Sequence, residues 1–423
     1  MSEPSLRQLV EAEARRAHDA AAALEDDAVA AALHRAAALV RSRHDAILAV
    51  NRDDCERAQA RLDEGMLDRL RLDDARVEAL AQQLEATADI EPLEREGASW
   101  TLANGLRVTE RRVPVGAVGA NFEARPNVVL DVAAQLLKSL NTAVLRTGSA
   151  ALGTATYLVD EILRPALMEN RLPEGAVGLV RSPEHEGARL LVSMPRLVPL
   201  VILRGSGETT AALARHAAEH GVRTLAHAEG GGVLYVHAAA SRERALAVAE
   251  ASLDRLGVCN RLNLALVDRE ADALLAELLT LFGGKGLEVR ATRRALALAE
   301  SALPLDRPVG HEWASDTERV ATVTVDVVDG VDEAVRLANE ETSALAAGIV
   351  TEDRRAAERF LDGYRGTAAF WHAPTRFADG FELAGVPETG INVGWAPGPR
   401  GPVTYRDLWL RQFRVVGDGT QAR

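Results

Sequence analysis

The sequence predicts an α/β protein with two doubly wound parallel sheets and a small additional β element. Three observations predict it. Short apolar runs alternate with helix-forming stretches from about residue 115 to 220, and the same alternation returns from 262 to 364. Several of the apolar runs end in Arg/Gly/Ser turns, the punctuation expected where strands of an open parallel sheet pass into helices. The chain has 423 residues and is 47% hydrophobic, which allows two or three domains with cores of their own.

Taken in order, Ser5-Leu6-Arg7-Gln8 has the form of a capping box, and the Ala-, Glu- and Arg-rich run behind it favours several helices to about residue 90. Cys55 lies on one of these, surrounded by charge, and reads as a structural or surface thiol. From 99 to 113, two strand-like runs flank Asn104-Gly105, a hairpin signal. A lone hairpin cannot bury its faces, so this one must pack on or extend another sheet. Strands are then expected at 115–120, 143–146, 177–180 and 197–203, with helices at 128–139, 150–168, 184–193 and 208–220. A second unit follows, with a helix at 241–256 and strands at 262–267, 287–291, 321–328 and 346–350. Helices at 270–282, 293–300, 331–339 and 351–364 separate them. Beyond residue 374 glycine and proline are too dense for helices, although 408–416 reads as a strand that could complete a sheet or pair with another subunit.

Acidic residues outnumber basic ones, 62 to 49, with no long Lys/Arg run, so neither nucleic acid nor an anionic membrane is the expected partner. The two cysteines, Cys55 and Cys259, form no disulfide framework and no CxxC pattern; no metal site is expected, and a reducing cytoplasm suits the chain. No apolar run approaches the roughly 20 residues that span a bilayer, and no basic segment followed by an apolar one opens the sequence. A cytoplasmic protein is expected.

Chemistry is concentrated at Leu256-Gly257-Val258-Cys259-Asn260-Arg261-Leu262-Asn263, between the 241–256 helix and the 262–267 strand. A thiol on that turn is held by rigid elements yet reachable, although cysteine taken alone is more often an inert small hydrophobe. Arg255 and Arg261 are the nearest cations in sequence that could favour a thiolate. Arg146-Thr147-Gly148-Ser149 and Arg204-Gly205-Ser206-Gly207 each offer one cation and several backbone donors to a nucleotide phosphate, or are ordinary turns. Neither matches GxGxxG or the Walker pattern, so a dinucleotide would bind in a different mode.

Val113-Pro114-Val115-Gly116-Ala117-Val118-Gly119, Phe122-Glu123-Ala124-Arg125-Pro126-Asn127-Val128, Val144-Leu145-Arg146, Gly257-Val258-Cys259-Asn260 and Thr375-Arg376-Phe377-Ala378-Asp379-Gly380 occur in a telling order. Together they resemble the gamma-glutamyl phosphate reductase family of the aldehyde dehydrogenase superfamily. The resemblance implies an aldehyde dehydrogenase-like fold: a dinucleotide-binding domain over 1–97 and 113–236, a catalytic domain over 237–355, and a return segment to the cofactor domain over 356–387. The hairpin 98–112 and tail strands 388–416 would serve oligomerisation, as a dimer or tetramer. It implies NADPH/NADP+ as cofactor, held by Arg146, Gly148, Ser149, Gly205 and Ser206, with Glu318 on the nicotinamide ribose. Arg146 would suit the 2′-phosphate. Cys259 is the implied acyl-accepting nucleophile and Asn127 an oxyanion donor; Arg125, Asn260, Thr375 and Arg376 are implied substrate contacts. The implied activity is reduction of gamma-glutamyl phosphate to glutamate-5-semialdehyde and phosphate in proline biosynthesis, with a kinase making the acyl phosphate as a partner. The chain departs from the family pattern at Leu140 and Thr147, where glycine is usual, at Leu203 for proline, at Asn263 for glutamate, at Leu345 for histidine and at His372 for asparagine. Those departures keep open a relative acting on another acyl phosphate or aldehyde. A non-catalytic scaffold is the third reading, and the retained Cys259 weighs against it.

Overall fold

A computed structural model of the chain describes residues 4–62, 64–205, 207–227, 230–255, 258–299, 301–305, 321–394 and 398–421. Its first helix, Leu6–Ala20, starts at the expected capping box: Ser5 Oγ accepts from Gln8 N, and Gln8 Oε1 accepts from Ser5 N at 2.8 Å. Val10, Ala14 and Ala17 form its buried stripe at helical spacing. The helices Asp26–Ser42 and Asp74–Asp89 bury Val29, Leu33, Ala36 and Val40 with Val77, Leu80, Ala81 and Leu84 in one core. That core covers one face of a five-stranded sheet.

The strands of this sheet run, in spatial order, Val177–Leu179, Thr142–Thr147, Ala117–Phe122, Leu200–Arg204 and Arg223–His227. The central pairs are parallel, with Asn121 opposite Arg146 and Leu203. Val118, Ala120 and Phe122 point into the helical core, while Ala117 joins Val144, Val201 and Leu203 on the opposite face. Burial on both faces is why these strands read as continuous apolar runs rather than alternating ones. Leu140 (φ 58°) ends the helix Pro126–Lys138 in the left-handed region that favours glycine. A glycine would adopt this φ without the strain that Leu140 bears, so the departure here touches the fold.

The hairpin forms as expected, from Glu96–Thr101 and Arg107–Pro114, with Gly105 at φ +86° in its turn. The tail strand Trp409–Val416 completes its sheet, antiparallel to Arg107–Pro114 from Trp409 opposite Pro114 to Val416 opposite Arg107. One compact unit comprises Met1–Ala226, Val386–Gly390 and Val403–Arg423.

The other unit, His227–Gly385 with Ile391–Pro402, is built on seven strands. In order they are Leu303–Pro304, Glu288–Ala291, Thr322–Val328, Leu262–Asp268, Gly232–Val236, Ala346–Val350 and Ala368–Trp371, all parallel. Leu234, Val236, Ala265, Val267, Val323 and Val325 fill one face; Val233, Tyr235, Leu264, Leu266 and Ile349 fill the other.

Three expectations need correction. The expected boundary at 236 divides elements wrongly, because Gly232–Val236 pairs with Leu262–Asp268 and Ala346–Val350 inside the seven-stranded sheet. Residues 356–385 are no return segment to the first unit: Ala368–Trp371 is an edge strand of that same sheet, and only Val386–Gly390 and Val403 onward belong to the first unit. The helix expected over 241–256 runs only Arg242–Ala251, since Ser252 turns back, its hydroxyl donating to Val248 O and its carbonyl accepting from Leu262 N.

Candidate functional site

In the first unit, Arg125, Arg146, Gly148 and Ser149 line one cavity of about 260 Å³, joined by Arg69, Glu123, Ala124 and His185. The strand end positions Arg146: its Nη1 donates to Asn121 Oδ1 at 3.4 Å and its Nη2 to Glu184 O at 3.1 Å. Its Nε is buried with no partner among the described residues, and so is the Nε of Arg125. Burial lowers the pKa of both guanidiniums from the ordinary arginine value, Arg125 more weakly opposed by the Glu123 carboxylate 3.2 Å away. Two cations lining one cavity, each with an unspent Nε donor, suit an anionic oxygen cluster such as a phosphate. Gly148 lets the wall close: a Cβ there would stand 2.8 Å from Ala124 N. Gly205 follows the strand Leu200–Arg204, its Cβ direction 3.9 Å from Glu123 Cγ, beside this cavity's wall. Ser206 and Glu318 lie outside the described residues.

Asn127 stands in the first turn of Pro126–Lys138, and its Nδ2 donates to Asp131 Oδ2 at 3.1 Å, one helical turn on. Burial pushes the Asp131 carboxyl up to about 6, opposed by the Asn127 hydrogen bond and by Arg204, and its Oδ1 has no partner among the described residues. The folded chain thus holds this proton to a higher pH than the unfolded chain, whose carboxyl titrates near 3.8. Stability is expected to fall as pH rises from about 4 to about 6, by up to about 3 kcal/mol at the full shift, and to stay lowered above that. In Asp131→Asn, melting followed by circular dichroism across this range should lose that slope; an unchanged slope would assign it to other groups.

In the second unit, Cys259 sits on the turn ahead of the strand Leu262–Asp268, half-buried and in no disulfide. Its carbonyl accepts from Gly231 N at 2.6 Å, and Arg261 O accepts from Gly232 N at 2.7 Å. The two backbones lie so close that a Cβ on Gly230 would fall 2.3 Å from Cys259 O and 2.7 Å from its Cα. A Cβ on Gly232 would meet Thr375 Oγ1 at 2.4 Å. Glycine is required at both positions by close approach alone. Around the thiol pack Leu345, Ala346, Phe370, Ala378 and Ile391.

Asn260, Thr375 and Arg376 come together here, but chiefly with one another. Asn260 Nδ2 donates to Arg376 O and Ala378 O, Arg376 Nη1 to Asn260 Oδ1, and the buried Thr375 hydroxyl to Asn260 O at 2.8 Å. Arg376 Nε also reaches Asp254 Oδ1 at 2.6 Å. These hydrogen bonds brace the cysteine turn. Arg261 is buried as well, with Nη1 donating to Leu262 O and Thr322 O, which ties the turn to the neighbouring strand; Arg255 is exposed. Of the departures, Leu345 packs in the cluster against the thiol, and Asn263 is buried within the strand. His372 is turned to other partners: Nδ1 lies 3.2 Å from Arg244 Nη1 and Nε2 2.7 Å from Thr351 O. Sequence reasoning missed the Gly230-Gly231-Gly232 run, whose signal is three glycines entering an apolar strand, and Asp131, whose signal is its i+4 spacing from Asn127.

The model of the aldehyde dehydrogenase family matches residues 5–282. A gamma-glutamyl phosphate reductase of Rhodospirillum rubrum is 35% identical over 394 residues, covering 92% of this chain and 90% of that one. The chain belongs to the gamma-glutamyl phosphate reductase branch of the aldehyde dehydrogenase family. The crystal structure of gamma-glutamyl phosphate reductase from Thermotoga maritima superposes with a TM-score of 0.91 at 27% identity, covering 98% of this chain and 100% of that one. An acetylating aldehyde dehydrogenase from Geobacillus thermoglucosidasius shares the fold, with a TM-score of 0.69 at 16% identity over 99% of this chain and 98% of that one. The aldehyde dehydrogenase-like α/β fold and an oxidoreductase acting on a small molecule follow from this membership, as does a nicotinamide cofactor. Arg125 and Arg146, each with an Nε donor unpartnered among the described residues, line the cavity of the first unit and have the chemistry to receive phosphate oxygens. Among the described residues no helix is long and apolar enough to cross a membrane.

Proposed function

We propose that this chain reduces gamma-glutamyl phosphate to glutamate-5-semialdehyde and phosphate with NADPH, through a thioester on Cys259, as a step of proline biosynthesis. The observation that carries the substrate is the name shared by relatives of about one-third identity over nine-tenths of the chain. The observation that carries the nucleophile is the turn of Cys259, held against Gly230 and Gly231.

The Cys259 thiolate attacks the acyl carbon; the carbon–sulfur bond forms as the carbon–oxygen bond to phosphate breaks, and phosphate leaves with the electron pair. The negative charge that gathers on the acyl oxygen in the tetrahedral species is met by donors, worth several kcal/mol together in a desolvated site. The Cys259 backbone N–H is one source of such a donor. The nicotinamide, when bound, supplies a hydride to the carbonyl carbon. Collapse of the resulting thiohemiacetal breaks the carbon–sulfur bond, releases the aldehyde and restores the thiolate. Asn263, where a glutamate is usual, leaves an amide rather than a carboxylate four residues after the nucleophile. An amide cannot activate water as a base, which suits reduction over hydrolysis of the thioester.

Arg146 is the residue that would hold the cofactor's 2′-phosphate, and Arg125, the expected substrate contact, lines the same cavity. Hydrogen bonds to charged groups contribute about 1.5–3 kcal/mol, so Arg146→Gln is expected to raise KM for NADPH by about 10- to 100-fold with a smaller effect on kcat. Initial-rate kinetics with NADPH and NADH in parallel check this; a KM rise equal for both would remove the 2′-phosphate from the assignment. The exposed apolar side chains of the three-stranded sheet, Trp100, Leu410 and Phe413, support a homo-oligomer formed through it. The test of the reaction is direct: glutamate-5-semialdehyde, phosphate and NADP+ should yield NADPH. Turnover only with other aldehydes would give the chain a different substrate, and none with any aldehyde would make it a scaffold.

A further inference from the structure

We propose that His216, Glu219 and His220 form a divalent metal site of the zinc class at the end of the helix Gly207–Glu219. The spacing His-x-x-Glu-His puts all three side chains on one helix face, as i, i+3 and i+4. One ligand atom from each lies within 4.8 Å of the others. His216 Nδ1 is 3.7 Å from Glu219 Oε2, and the two imidazole centroids are 4.4 Å apart. A zinc ion about 2.1 Å from each donor needs tetrahedral donors about 3.4 Å apart, a difference that small rotations of the exposed Glu219 and His220 side chains cover.

Hydrogen bonds around the cluster decide which nitrogens are available. Ser193 Oγ gives its only proton to Arg189 O at 2.5 Å, so in its 3.2 Å contact with His216 Nε2 it must accept. The proton of His216 is thereby placed on Nε2, and the lone pair on Nδ1, the atom facing Glu219. His220 Nδ1 lies 2.8 Å from His216 O, an atom that can only accept, so its proton is on Nδ1 and its lone pair on Nε2. Both rings therefore carry the outer partner typical of metal-bound histidines, a second group holding the far nitrogen's proton. The backbone is fixed too: His220 N donates to Ala217 O, Val222 N to Ala217 O, and Gly221 (φ +75°) closes the helix. The carbonyl end of a helix also favours a cation.

The experiment is equilibrium dialysis of the full chain against Zn2+, with metal counted by mass spectrometry, for the wild type, His220→Gln, Glu219→Gln and Ser193→Ala. Each is repeated with Cys259→Ser, which removes zinc held by that thiol. The expected result is one Zn2+ per chain that survives Cys259→Ser, an affinity at least tenfold weaker in His220→Gln and Glu219→Gln, and about tenfold weaker in Ser193→Ala. Co2+ should give a tetrahedral absorption spectrum that His220→Gln abolishes. Zinc kept at full affinity by His220→Gln, or lost with Cys259→Ser alone, overturns the proposal.

Discussion

Replacing Cys259 by alanine is expected to lower turnover by at least about 10⁴-fold while the chain stays folded. The sulfur is the atom to which the acyl group is transferred, and no other group can substitute for that bond. The turn itself does not depend on the sulfur. It is held by backbone contacts, Gly231 N to Cys259 O and Gly232 N to Arg261 O, and by the Asn260, Thr375 and Arg376 brace. The side chain is half-buried, so its truncation should cost no more than about 1 kcal/mol of stability. Thermal melting and kcat/KM, measured on the same preparation, separate the two effects; a collapse of stability in parallel with activity would assign the cysteine to the fold instead. Cys55→Ser is the control. Cys55 is on the helix His44–Ala58, and burial pushes its thiol up, so it should react slowly with alkylating reagents and its loss should leave turnover unchanged. Inactivation of the wild type by such a reagent should then track mass gained at Cys259.

How far the sequence reveals this arrangement depends on which force sets each part. Strands buried on both faces, such as Ala117–Phe122 and Ala346–Val350, announce themselves as apolar runs, and the capping box at Ser5 is a local pattern that needs no tertiary information. Arg146 and Gly148 were legible because a cation and a glycine at a strand end are conspicuous whatever they pack against. Gly232–Val236 and Ala368–Trp371 were not: the first is entered through glycines, the second is short and at an edge, and only pairing with strands distant in sequence makes either a strand. The unit boundaries failed for the same reason, since strand order in the second sheet is set by contacts far apart in sequence. The roles of Asn260, Thr375 and His372 were illegible because polar side chains beside a nucleophile look alike in sequence, whether they face a ligand or a neighbouring carbonyl. The hydrogen bonds that tie them into the fold join residues over a hundred positions apart for Asn260 and Thr375.

Gly230→Ala is expected to lower kcat/KM by about 10²-fold, although it adds a single methyl group. The new Cβ would fall 2.3 Å from Cys259 O, 2.5 Å from its Cβ and 2.7 Å from its Cα. All but one of these atoms belong to backbone, which cannot swing aside as a flexible side-chain end does. Relief requires the cysteine turn to move by about 1 Å, enough to misplace a nucleophile against its acyl carbon. The brace resists that motion, because Asn260, the next residue, is fixed by Thr375 and by the Arg376 and Ala378 carbonyls. Strain shared between turn and brace should also cost about 1–3 kcal/mol of stability, the range for overpacking a filled site. Gly283→Ala calibrates the measurement: within the helix Asp272–Gly284 a Cβ meets nothing within 4 Å, so that variant should gain about 0.5–1 kcal/mol and keep full activity. If Gly230→Ala kept kcat/KM and alkylation of Cys259 ran at the wild-type rate, the close approach of the two backbones would not be what positions the thiol.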